Sequence, residues 1–237
     1  NVRMCGIVGF EGGFMFNPVI DYPCAVADQS PEGCHKALRW CLDYVNSDQP
    51  LTLWVPQKNS LNGNEFLKRL SVQSDVDIIF GRNRLMFNAD GPVLAMYPSV
   101  EDLGTIVGSR GITALCVVQW VDSLKIWIQE TKAEVLTEES LNNDLSWNEE
   151  ELSLLPEVVQ GLEHITKMVN CDNAISGGHE KKIVVRRLLQ LHDKGIDLPG
   201  DAMAEWVAAH GWSEKNCKKL KEYAEKINKG IRPRYNA

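Results

Sequence analysis

Near residue 140 the hydrophobic pattern of this 237-residue chain changes period, and that change limits the folds open to it. Before it, apolar residues come in short runs bounded by turn formers: PLTLWVP at 50–56, DVDIIFG at 75–81, PVLAMYP at 92–98 and ALCVVQW at 114–120. Such runs predict strands, and their uniform apolarity predicts strands covered on both faces, as in a partly parallel sheet. After it, apolar residues recur every three or four positions. That spacing predicts helices over about 156–170, 180–194, 199–210 and 213–229, punctuated by Pro156, Gly177-Gly178, Gly195 to Pro199 and Gly211.

Short helices are expected between the strands as well. CHKALRWCLDYVN (34–46) and NEFLKRL (64–70) have helical spacing, and Ser99 reads as an N-cap followed by Glu101 and Asp102, in a helix ending near Gly108. KIWIQETKAEVL (125–136) alternates Ile126 and Ile128 with polar neighbours, which predicts a half-exposed edge strand. RLMF (84–87) and PVLAMYP flank Asn88 to Gly91, where Asp-Gly is a turn signal and Pro92 limits pairing. The expected fold is therefore α/β: a mixed, partly parallel sheet domain over residues 1–137, then a C-terminal helical bundle over residues 157–237. Residues 138–156, acidic and poor in β-branched side chains, form the connector.

Charge follows the same division. Residues 178–237 carry 13 Lys and Arg against 8 Asp and Glu, or +5, whereas residues 1–177 carry 12 against 24, or −12. An acidic body repels nucleic acid while a basic end makes local phosphate contacts. In the last helical segment Glu214, Glu222 and Glu225 stand four residues before Lys218, Lys226 and Lys229, the layout of a salt-bridged solvated face. The tail from Lys229 to Tyr235 has no neighbouring acid, and Lys182, Arg186, Arg187 and Lys194 lie on the polar face of an earlier helix. The first functional expectation is thus an interaction protein that meets nucleic acid or an acidic protein partner through Arg186, Arg187, Lys218, Arg232 and Arg234.

A second expectation is positional. Ligands of open α/β sheets gather beyond the carboxyl ends of the strands, here Gln57 and Lys58, Arg82 and Arg84, Tyr97 and Ser99, and Gln119 to Asp122. If their strands are neighbours, Arg82, Arg84 and the helix start at Ser99 hold an anionic small molecule, in an enzyme or a binding protein. In the simpler alternative Ser99 only caps its helix and the arginines pair with Asp75, Asp77 or Asp90.

Specific cofactor signatures are missing. Gly108-Ser109-Arg110-Gly111 lacks the Lys-Ser/Thr of a phosphate-binding loop, and Gly6-x-x-Gly9 lacks the third glycine of the dinucleotide fingerprint. Cys24, Cys34, His35 and Cys41 lie close in sequence, but adjacent Cys34 and His35 would splay apart while Cys34 and Cys41 share one helical face, so no metal is expected. Seven cysteines without framework spacing predict buried, reduced thiols and a cytoplasmic setting. No apolar run has membrane-spanning length, so no membrane partner is expected. Met203, Trp206, Val207 and His210 fall at core spacing.

One short string carries a family resemblance. MCGIVGF at Met4 to Phe10 resembles the mature start of class II glutamine amidotransferases. The resemblance implies that Cys5 attacks the glutamine amide with its own α-amino group as base, which requires a chain beginning at Cys5. Asn1 to Met4 precede it here, and between residues 30 and 120 no Arg-Gly is followed closely by Asp-Ser-x-Gly, the segment that orders such sites. The same string also reads as a strand, Ile7 and Val8 held between Gly6 and Gly9.

Overall fold

A computed structural model describes residues 20–46, 49–81, 87–120, 124–137, 154–169 and 174–234. Cys5 and its neighbours, Arg82, Arg84 and most of the acidic connector lie outside the described residues. Six strands form one sheet: β1 (Cys24–Ala27), β2 (Leu51–Val55), β3 (Val76–Phe80), β4 (Val93–Met96), β5 (Leu115–Val118) and β6 (Glu134–Val135), in the order β3-β2-β4-β5-β1-β6. Every pairing is parallel, so the sheet goes beyond the partly parallel expectation. Parallel strands need crossovers and cover on both faces, which explains why the central strands carry no polar alternation.

The connections sort themselves by handedness. α1 (Pro31–Leu42) and α2 (Glu65–Leu70) follow β1 and β2 and pack on one face, over Ala25, Ala27, Leu53, Leu94, Met96 and Val118. α3 (Val100–Val107) and α4 (Lys125–Thr131) follow β4 and β5 and cover the other, over Val26, Trp54, Ala95 and Val117. Right-handed crossovers that travel in opposite directions along the sheet must use opposite faces. Chain paths therefore diverge between β2 and β4, and again between β5 and β1.

Among the described residues four more helices follow: α5 (Pro156–Met168), α6 (Gly178–His192), α7 (Gly200–Ala209) and α8 (Glu214–Asn228). Their bounds agree with the periodicity, and Gly211, with φ of 74°, takes the left-handed turn between α7 and α8 as a C-terminal glycine should. They pack onto the sheet layer. α7 and α8 lie on α3, and α7 also lies on α4. One apolar core runs from Val26 and Val117 through Leu103, Ile106 and Trp127 to Trp206, Trp212 and Leu220. Asn216 and Asn228 on α8 tie down the preceding loops, the first accepting from Ile175 N (3.1 Å), the second from Leu198 N (3.1 Å) while donating to its carbonyl (2.9 Å).

One local expectation fails for an identifiable reason. Residues 125–131 are helix rather than edge strand, and only Glu134 and Val135 join the sheet. Glu205 on α7 supplies what the local sequence lacks: its carboxylate accepts from Ile126 N (2.9 Å) and Trp127 N (3.3 Å), capping a helix that has no cap of its own. Most of RLMF (84–87) lies outside the described residues, and Pro92 follows the segment Asn88 to Gly91 as the sequence indicated. Pro92 leads β4 into parallel pairing, its carbonyl accepting from Thr52 N (2.9 Å).

Candidate functional site

Beyond the carboxyl ends of β1, β4 and β5, three neighbouring segments converge. β1 runs into Asp28-Gln29-Ser30, which starts α1. Asp28 N donates to Thr137 Oγ1 beyond β6 (2.9 Å), Ser30 N donates to Asp28 Oδ1 (2.8 Å), and Ser30 Oγ accepts from Gly33 N (2.9 Å) as the N-cap. Any side chain at Gly33 would overlap Asp28, so the glycine is what lets the helix start against that carboxylate. One turn in, the Cys34 thiol faces the Tyr97 hydroxyl at 4.0 Å. Asn64 caps α2 through its side-chain oxygen, which accepts from Phe66 N and Leu67 N, and its amide nitrogen donates to Tyr97 OH at 3.2 Å.

Tyr97 holds this cluster together. It follows β4 with φ of 57°, in the left-handed region that a bulky residue rarely enters, while its N–H still donates to Val118 O (2.8 Å). Its ring stands edge-on to Trp120, with centroids 5.0 Å apart and planes at 86°. Trp120 is 60% exposed, an unusual state for an indole set against a structured neighbour.

The electrostatics of the cluster separate its members. Burial pushes the Cys34 thiol up, opposed by the Tyr97 hydrogen bond. Burial and the neighbouring Cys34 push Tyr97 up to about 12, with Asn64 working the other way. Both groups are neutral near pH 7, which suits neither to act as a nucleophile. For Asp28, burial works against ionisation, but the hydrogen bonds from Ser30 and Thr137 and the Lys36 charge outweigh it and hold the carboxyl below its usual range. A depressed folded value means that Asp28 contributes stability above the unfolded carboxyl value near about 4, and that this contribution is lost as pH falls through the folded value. Asp28→Asn is accordingly expected to flatten the acid limb of the stability curve, read by urea unfolding from about pH 6 down to about pH 3.

The residues singled out by sequence are dispersed. Ser99 is wholly engaged: its Oγ accepts from Asp102 N (3.1 Å) and donates to Asp102 Oδ2 (2.8 Å), and that oxygen also accepts from Ser99 N (3.1 Å). β2 lies between β3, which precedes Arg82, and β4, which precedes Ser99. Arg186 is exposed on α6, whereas Arg187 is half-buried, its Nε buried and without a hydrogen bond beside Gly161 of α5. Lys218 is exposed on α8, as is Arg234 beyond it, and Arg232 pairs with Asp193 at 2.6 Å. Other lysines of α8 are also engaged, Lys219 with Glu222 (2.6 Å) and Lys221 with Asp201. Cys34 and Cys41 share the buried face of α1, while Cys24 packs in the core on the opposite side of the sheet.

Tyr97 and Trp120 fall within the strand ends that sequence indicated; Asp28, Cys34 and Asn64 do not. The signal for Asp28 and Cys34 was CAVADQSPEGC, four apolar residues followed after two more by Ser-Pro, a capping residue and a proline at the first helical position. Asn64, one residue before α2, was legible only as a cap.

Residues 155–237 match a family model described as a domain of unknown function, DUF1889. The match covers α5 to α8 and begins one residue before Pro156, leaving the sheet and its carboxyl edge outside it. No curated protein and no solved structure matches the chain. Among the described residues no helix is long and apolar enough to cross a membrane.

Proposed function

We propose that the chain binds a small molecule on the carboxyl edge of its sheet, over β4, β5 and β1. The observation that carries this reading is Tyr97, held at φ of 57° against the largely exposed Trp120, on the two strand ends that lie between the places where chain paths diverge. A left-handed, non-glycine residue costs about 1–3 kcal/mol and persists where its surroundings impose it, which happens most at ligand sites. Divergence of the connections leaves a crevice at that edge. A thermal-shift screen of nucleotides, amines and carboxylated metabolites tests the reading: a ligand that stabilises the protein is expected to lose its effect in Trp120→Ala, with unchanged far-ultraviolet circular dichroism. Arg82→Ala, run in parallel, tests the arginine-based anion site. If no ligand shifts the protein, or Trp120→Ala leaves every shift in place, the edge is not the site.

A basic surface supports a second reading, contact with nucleic acid or an acidic protein. Arg186, Lys218 and Arg234 are exposed, although Arg232 is paired and Arg187 half-buried. Binding of this kind weakens steeply with salt, so a salt titration against mixed-sequence DNA and RNA decides it.

A further inference from the structure

We infer that the ligand of the carboxyl edge presents an organic cation, an ammonium or a guanidinium, to the corner formed by Trp120 and Tyr97, with Asp28 as its counter-charge. This rests on the carboxyl-edge reading above and adds the chemical class.

The first argument is the shape of the aromatic pair. Two rings at 86° with centroids 5.0 Å apart form an inside corner, and the exposure of Trp120 leaves ring surface open to solvent. The faces of aromatic rings are negative and attract cations, tryptophan most strongly; perpendicular aromatic walls are the usual way proteins hold quaternary ammonium groups. Tyr97 is held at both ends, its N–H by Val118 O and its hydroxyl by Asn64 and Cys34, and this fixes the ring against the strain of its backbone.

The second argument is charge. β5 lies between β4 and β1, and Gln119 N donates to Ala27 O (3.0 Å), so Trp120 and Asp28 each stand one residue beyond that bond on adjacent strands. Adjacent strands run about 5 Å apart, which sets the carboxylate within Coulombic reach of a cation in the corner. Asp28 is held in its charged form by hydrogen bonds from Ser30 and Thr137 together with the Lys36 charge. Lys36 pairs with Glu32 at 2.8 Å while its charge also acts on Asp28. A cation in the corner is attracted by Asp28 and by the ring faces.

The test uses the full chain and a matched pair of probes, choline and its neutral isostere 3,3-dimethylbutanol, with tetramethylammonium as the minimal cation. Binding is followed by tryptophan fluorescence and by amide chemical shifts. Choline and tetramethylammonium are expected to give a saturable response at millimolar concentration, about tenfold weaker for the neutral isostere and about tenfold weaker in both Trp120→Ala and Asp28→Asn. Tyr97→Phe keeps the ring and is expected to retain the response. Equal binding of the isostere, indifference to Asp28→Asn, or no response to either cation overturns the inference. A neutral or anionic ligand whose thermal shift is lost in Trp120→Ala would overturn the cation class while leaving the carboxyl-edge site standing. If no compound of any charge gives a shift lost in Trp120→Ala, the site itself falls.

Discussion

Trp212→Ala is expected to destabilise the protein by about 3–5 kcal/mol, the range for removing a large aromatic from a packed core. Trp212 is fully buried at the junction of α7 and α8, and its indole N–H donates to the buried Thr166 Oγ1 of α5 (3.2 Å). The substitution leaves a cavity in the core shared by sheet layer and C-terminal helices, and it strips the Thr166 hydroxyl of that donor. Domains of this kind are stable by about 5–15 kcal/mol in total, so the loss takes a large share of what holds the native state. Urea unfolding should show a lowered midpoint; Trp212→Phe, which fills most of the space without the N–H, should lose less. A variant that matched the wild-type midpoint would mean that the C-terminal helices do not rest on this residue.

Gly104→Ala should destabilise the protein against the direction of helix propensity. In the middle of an exposed helix the change would gain about 1 kcal/mol. Gly104 lies in α3, however, where α8 begins, and an added methyl would overlap the Trp212 carbonyl oxygen and come within 3.1 Å of Cys217 Sγ. The obstruction is main chain, fixed by Cys217, whose thiol donates to the same carbonyl at 3.2 Å. No rotamer change relieves it, and α3 has to shift away from α8. Overpacking of this sort costs about 1–3 kcal/mol, and more where backbone must move, so the steric term wins over propensity. Thermal unfolding measures the sign directly. A raised midpoint in Gly104→Ala would show that α3 and α8 are further apart in solution than the structure has them.

Both predictions concern a contact that no pattern in the sequence announces. Gly104 reads as an ordinary residue in a short helix between an N-cap and Gly108, and Trp212 as a core residue of its own helical unit. Their meeting joins residues more than a hundred positions apart. The same holds at the carboxyl edge, where Cys34, Asn64 and Tyr97 come from three segments and touch because β4 enters the sheet between β2 and β5. Tyr97 could be placed at a strand end from sequence, but its positive φ could not, since nothing local to Tyr-Pro-Ser demands it. The segment at 125–131 shows the reverse case: its alternating isoleucines point to a strand, and a carboxylate on α7, contributed from 79 positions away, makes it a helix. The basic residues were legible as a charge excess, yet pairing of Arg232 with Asp193 and burial of Arg187 depended on which helices lie side by side.

The amino-acid sequence by itself determined where the helices of the last third begin and end, where the central strands lie, and that a covered α/β sheet precedes a helical region. Those features rest on local physics: apolar spacing sets which side of an element is buried, and proline, glycine and capping side chains end it whatever the surroundings. Only the tertiary structure decided strand order, the continuous core beneath α3 and α4, and the meeting of Tyr97 with Trp120 at the carboxyl edge. These arise from complementarity between distant surfaces, where a single methyl or one carboxylate tips the balance, and spacing along the chain carries no record of which surfaces will meet.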